Sequence, residues 1–218
     1  EQTELPLVTF SLIIDGGHML DSFDKNGVAS LMTDIMMEGT ANRTPQELEE
    51  AIELLGASIN MRTGNEAITI SGNTLVRNFR ETMDLVEEIL LNPRWDEEEL
   101  KRIKLSTINS IKRSSANPNV VSRNVRNKVL YGEKHMLAYP ISGSVTSVEA
   151  ITMNDLKSFY ENYFSPSVSR FHIVGNIDKE EVLTVLEDLE SKWAVKEVSI
   201  PTYPLPEKRD KASLYFVD

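Results

Sequence analysis

The sequence predicts an α+β sandwich, with helices packed on one face of a mostly antiparallel sheet. Three observations predict it. Short apolar and β-branched runs alternate with segments whose apolar residues recur at helical spacing. The helical segments come in groups between the strands, not singly as a doubly wound parallel sheet would require. The 218 residues, 40% hydrophobic and 26% charged, suffice for one large core or a domain with a tail. No run approaches the roughly 20 apolar residues of a membrane span, and Glu1 to Pro6 lack the basic start and apolar stretch of a signal peptide.

Leu7 to Ile14 (LVTFSLII) is a strand that stops at the turn Asp15-Gly16-Gly17. From Gly27 to Met37, the residues Val28, Leu31, Met32, Ile35 and Met36 fall on a helical face, and Gly39 ends the helix. Core packing accounts for the Met32, Met36 and Met37 group. Thr44-Pro45-Gln46-Glu47 places a cap, a proline at the first helical position and an acid at the third, which opens a helix through Leu55. Ser58 to Thr63 and Ala67 to Gly72 alternate around Gly64-Asn65 as a β-hairpin.

A long helix is expected from about Leu75 to Leu91, ending before Asn92-Pro93. Asp96 caps the next, where Glu97, Glu98 and Glu99 complement the positive helix end and Leu100, Ile103, Leu105, Ile108 and Ile111 are the apolar positions. Asn117-Pro118 opens a helix to about Tyr131, and an irregular stretch follows. Thr152 to Tyr163 is helical, Ser167 to Val174 is a strand, and Asp178 to Trp193 is a last helix. Residues 1–196 thus form one domain. Residues 197–211, with Pro201, Pro204 and Pro206, form an extended linker, and 212–218 resemble the start of a following domain.

Charge and composition remove several function classes. With 23 basic and 34 acidic residues the net charge is -11, so the whole-molecule field repels nucleic acid and anionic lipid. The basic residues between Lys101 and Lys134 are a solvated helical face. Cysteine is absent, which excludes disulfides, cysteine zinc fingers and thiol catalysis. No Gly-x-Ser-x-Gly or glycine-rich phosphate loop is present.

A set of ordered matches then carries a resemblance. The GG turn, Gly27, Glu38-Gly39-Thr40 and Leu54-Leu55-Gly56-Ala57 come first, followed by Leu90-Leu91-Asn92-Pro93 and Tyr131-Gly132 with His135, Pro140 and Gly143. Ile151-Thr152, Asp155-Leu156, Phe159-Tyr160, Tyr163, Pro166 and Val174-Gly175-Asn176-Ile177-Asp178 complete it. Over residues 7 to 193 the chain resembles the pitrilysin/insulinase (M16) zinc metallopeptidases, which implies their sandwich fold. Working members carry His-x-x-Glu-His on the first helix and a Glu on a later one. Counting back from Gly39-Thr40 puts the first motif on Ser30 to Asp34, with Ser30, Thr33 and Asp34 at its three functional positions, and counting through Asn117-Pro118 puts the later Glu at Ser110.

Residues 30, 33 and 34 share a helical face and could converge on one ion. Catalytic zinc takes three ligands from imidazole, thiolate and carboxylate, and only Asp34 qualifies. The hydroxyl of Thr33 cannot replace the general base. The three polar residues are expected to line a cleft instead.

The three histidines offer no substitute site. His18 is expected near the surface in its turn, His135 and Tyr139 beside the cleft, and His172 mid-strand as a structural histidine. No catalytic residue and no metal is therefore assigned to this domain. The resemblance implies a non-catalytic half of a zinc endopeptidase, which would take an extended peptide along a sheet edge. Its zinc-bearing active half would lie in the same chain or in a separate subunit. The alternative is a purely structural subunit like the respiratory core proteins of this fold. Nucleic acid and membrane insertion are not expected, and the family suggests a bacterial envelope location.

Overall fold

The computed structural model describes residues 6–206 and 214–216. Its sheet has four strands, β1 (Leu7–Asp15), β2 (Ser58–Thr63), β3 (Ala67–Leu75) and β4 (Ser169–Gly175), in the order β2-β3-β1-β4 with every pair antiparallel. Alternation decides which face is buried. Val8, Phe10, Leu12 and Ile14 of β1 point inward, and Ile68 and Ile70 of β3 do the same. The opposite face holds Thr9, Ser11, Thr69, Ser71 and His172, none of them buried. Gly72 is a close-approach position. A Cβ there would lie 2.1 Å from the Ser58 carbonyl oxygen and 2.7 Å from the Phe10 ring.

Among the described residues eight helices cover the sheet's apolar face and its flank: α1 (Val28–Met36), α2 (Pro45–Leu54), α3 (Phe79–Leu91), α4 (Glu97–Ser114), α5 (Pro118–Tyr131), α6 (Val145–Ala150), α7 (Met153–Tyr163) and α8 (Lys179–Lys192). Their starts are coded locally. Thr44 and Glu47 form a reciprocal capping box at α2, and Thr152 and Asp155 form one at α7. Asp96 accepts hydrogen bonds from the Glu98 and Glu99 amides at α4. A single core joins sheet and helices through Phe10, Ile70, Met32, Phe79, Leu156 and Phe164, all essentially inaccessible.

Three elements differ from expectation. The helix expected from Leu75 begins at Phe79, because Leu75 pairs with Leu7 and extends β3, and a 3-10 turn follows at Val76–Asn78. The irregular stretch after α5 contains a 3-10 turn at Met136–Ala138 and the short helix α6, which Ser144 and Ser147 cap reciprocally. Of the apolar positions expected on α4, Leu105 is 62% exposed, since it lies off the helix face on which Leu100, Ile103, Ile108 and Ile111 meet the core.

The proline-rich stretch has no secondary structure through Pro206. Tyr203 nevertheless lies on the domain, its hydroxyl donating to the Met19 carbonyl (2.9 Å) and its ring stacked on His135. Of residues 212–218, expected to start a following domain, 214–216 show no secondary structure, and 212–213 and 217–218, with 207–211 of the linker, lie outside the described residues.

Candidate functional site

The site is built on α1. Val28, Ala29, Leu31, Met32, Thr33, Ile35 and Met36 are buried, because the sheet, α4 and α7 surround the helix. What remains open is a stripe at i, i+4 and i+8: Ser30, Asp34 and Glu38. On α4 a second stripe of the same period, Ser106, Ser110 and Ser114, lines the facing wall.

Between these stripes runs a groove of about 540 Å³, closed on its far side by Val121, Arg123 and Asn124 of α5 and by Pro140. A neighbouring cavity of about 400 Å³ shares Asp34, Ser106 and Thr107 with it and reaches Asn60 and Met61 of β2. Among the described residues that strand has a hydrogen-bonded neighbour on one side only, β3. Asp34 therefore stands where a hydroxyl-lined trough meets the sheet edge.

Asp34 is exposed to the groove, and its carboxyl has no hydrogen-bond or ion-pair partner among the described residues. The surrounding protein walls desolvate its carboxyl, Glu38 repels it, and together they push its pKa from 3.8 up to about 6. Glu38 itself is held by Arg102, Nη2 to Oε1 at 2.6 Å, and Arg102 also bonds Glu99. Arg123, exposed on the α5 wall, has no partner among the described residues.

Ser30, Asp34 and Ser110 thus share one groove, but Thr33 does not line it. Thr33 is 2% exposed. Its hydroxyl donates to the Ser30 carbonyl (2.9 Å) and lies 3.0 Å from the Thr63 hydroxyl, which in turn donates to the Ala29 carbonyl (2.9 Å). The cleft-lining role expected for Thr33 is corrected accordingly, since position i+3 turns from the groove toward β2.

His18 is not near the surface but wholly buried. Its Nδ1 lies 3.0 Å from Asp21 Oδ2 and its Nε2 lies 3.2 Å from the Tyr139 carbonyl oxygen. Asp21 also accepts from the Gly27 and Ala29 amides, so this pair fastens the start of α1 to the segment before Pro140. His135 is 7% exposed and accepts from the Leu137 amide. Its ring lies between Tyr131 and Tyr203, and desolvation lowers its pKa. Tyr139 lines an adjoining hollow with Phe23, Asn26 and Lys128, and His172 is exposed on β4.

Among the described residues no three His, Cys, Asp or Glu side chains group as metal ligands. The donors in the groove are one carboxylate and several hydroxyls. Zinc takes imidazole, thiolate and carboxylate, so the residues present do not fit it. On the sequence Arg123 falls in the basic, solvated face between Lys101 and Lys134, and Ser110 alone of the α4 serines stands out, although the spacing 106, 110, 114 is a readable signal.

Residues 1–143 match the family model for insulinase, peptidase family M16, and residues 150–217 match the model for the peptidase M16 inactive domain. The chain belongs to the M16 peptidase family. Both matches fall on one folded body, since β4 from the second pairs with β1 from the first.

M16 relatives include an uncharacterized zinc protease of Bacillus subtilis, 23% identical over 85% of this chain and 44% of its own length. A probable mitochondrial-processing peptidase subunit beta of Arabidopsis thaliana is 25% identical over 84% of this chain and 34% of its own. The chain spans less than half the length of these relatives. A solved M16 inactive domain from Pseudomonas fluorescens superposes with a TM-score of 0.86 at 23% identity, over 94% of this chain and 49% of that one. Pitrilysin superposes with a TM-score of 0.79 at 16% identity, over 93% and 22%. These structures share the fold.

Proposed function

We propose that this M16 domain is the non-catalytic half of a zinc metalloendopeptidase, forming part of the chamber that holds a peptide while a zinc-bearing half cleaves it. The observation that carries the reading is the groove on α1. Ser30, Asp34 and Ser110, matched by count to zinc-ligand positions of working members, line one trough, yet they supply a single carboxylate. Thr33, at the position of the general base, is buried and bonded to backbone and Thr63. A hydroxyl with an ordinary pKa cannot take a proton from water near neutrality. The chain therefore assists hydrolysis by binding.

The geometry suits an extended peptide. The β2 edge opens onto the cavity at Asn60 and Met61, where main-chain bonds would give affinity with tolerance of sequence. Zinc in the assembly is then held by the active half, in the same polypeptide or in a second subunit.

The test is reconstitution with the zinc-bearing half. Peptide hydrolysis that requires both halves and zinc supports the reading. If the assembly forms but never hydrolyses peptide, the chain is a structural subunit instead.

A further inference from the structure

Three features outside the established family assignment invite a reading. The aromatic group of Phe23, Tyr139, Tyr203 and His135 holds the proline-rich stretch. The buried His18–Asp21 pair serves the start of α1. The groove holds two charges without partners among the described residues, Asp34 and Arg123.

We propose that Asp34 is the acceptor for a basic side chain of a peptide lying in the groove, with Arg123 on the opposite wall taking an acidic side chain or a terminal carboxylate. The assignment rests on the peptide-binding reading above and adds to it a charge specificity centred on α1 and α5.

Four observations support it. Asp34 is the one carboxylate lining the 540 Å³ groove, and it sits where that groove meets the cavity under the β2 edge. A peptide following the edge strand would therefore present a side chain to it every second residue. The neighbouring acid, Glu38, is ion-paired to Arg102, which Glu99 shares, so Asp34 is the carboxylate of this wall that has no partner among the described residues. Arg123 lines the same groove from α5 and forms no ion pair with Asp34, so the two charges do not cancel each other. Around them, Ser30, Ser106, Ser110 and Asn124 supply donors and acceptors for a main chain.

The molecule's net charge of -11 adds a field that draws cationic peptides toward it. A bound ammonium or guanidinium would relieve the desolvated carboxyl. Recognition should then fade as the pH falls through about 6, where Asp34 takes up a proton. The charged groups facing it are Glu38 on α1, Arg102 on α4 and Arg123 on α5.

Three octapeptides of serine, glycine and alanine, carrying lysine, norleucine or glutamate at one central position, would be titrated against the chain by NMR chemical-shift perturbation at pH 7.5 and pH 5. The lysine peptide should bind about tenfold more tightly than the norleucine peptide at pH 7.5, the worth of one charge-assisted hydrogen bond. That preference should vanish at pH 5 and in Asp34→Asn, and Arg123→Gln should leave it in place. Equal binding of lysine and norleucine peptides would overturn the charge assignment and leave the peptide reading standing. Binding of none of the three would overturn both. Asp34→Asn is isosteric and removes no contact made in the fold, so loss of preference in a variant with an unchanged spectrum is not a folding defect.

Discussion

Replacing Asp34 by asparagine should make this protein more stable at neutral pH. The carboxyl is held in the groove with its pKa raised from 3.8 to about 6, by desolvation first and Glu38 second. A raised carboxyl pKa means that the folded state binds the proton more tightly than the unfolded chain does. The penalty is absent below about pH 3.8, grows between there and 6, and is complete above 6. Each tenfold change in proton affinity is worth about 1.4 kcal/mol, which sets a ceiling of about 3 kcal/mol on the cost of the ionised form. Asp34 is exposed to water on its open side, and that screening reduces the figure to about 1 kcal/mol.

Asp34→Asn should accordingly gain about 1 kcal/mol at pH 7.5, or roughly 3 °C in Tm for a domain of this size, and nothing near pH 3.8. Urea unfolding of both proteins at several pH values from 4 to 7.5 measures the difference. A variant equal to or weaker than the parent at pH 7.5, or a gain that does not change with pH, would refute the electrostatic account of this carboxylate.

Asp21→Ala should cost at least about 3 kcal/mol in urea unfolding, because it leaves buried His18 and the Gly27 and Ala29 amides without their acceptor. Gly72→Val should prevent folding, as judged by circular dichroism, since even a Cβ would lie 2.1 Å from the Ser58 carbonyl oxygen. Gly56→Asn should be tolerated, because nothing lies within 4 Å of its Cβ position and asparagine accepts a φ of +59°. Tyr203→Ala should speed proteolysis of the proline-rich stretch while moving stability by no more than about 1 kcal/mol, the scale of one stacked pair and one exchangeable hydrogen bond. The triple variant Ser30→His, Asp34→His and Ser110→Glu should hold about one zinc per chain by metal analysis, where the three positions share a groove. Zinc no higher than in the parent chain would disprove their equivalence to ligand positions.

Local coding made much of the fold legible. The capping boxes at Thr44 and Thr152, the turn at Gly64-Asn65 and the inward alternation of Val8 to Ile14 are each contained in a few neighbouring residues. The i, i+4 relation of Ser30 and Asp34 was legible for the same reason. Features that depend on distant partners were not. His18 is buried because its Nε2 meets a carbonyl 121 residues away. Leu75 is a strand residue because Leu7 pairs with it, although its own neighbours suit a helix. Thr33 turns away from the groove because Thr63 of β2 lies beside it. In each case tertiary packing outweighed a local preference.

These contacts bear on how this M16 domain folds with a single carboxylate lining the α1 groove. In domains that fold around a metal, binding energy is folding energy, and removing ligands unfolds the chain. Here α1 is secured on its apolar sides by Leu31, Met32, Ile35 and Met36, at its start by Asp21, and on its β2 side by the Thr33–Thr63 pair. None of these uses the open stripe. Ser30, Asp34 and Ser110 are therefore free of structural duty, and asparagine at 34 would fit as well without the desolvation cost. The proposed binding of a basic side chain would account for a carboxylate that costs stability there. The pH dependence of Asp34→Asn stability and the lysine preference of the groove are two readings of the same charge, and they should disappear together.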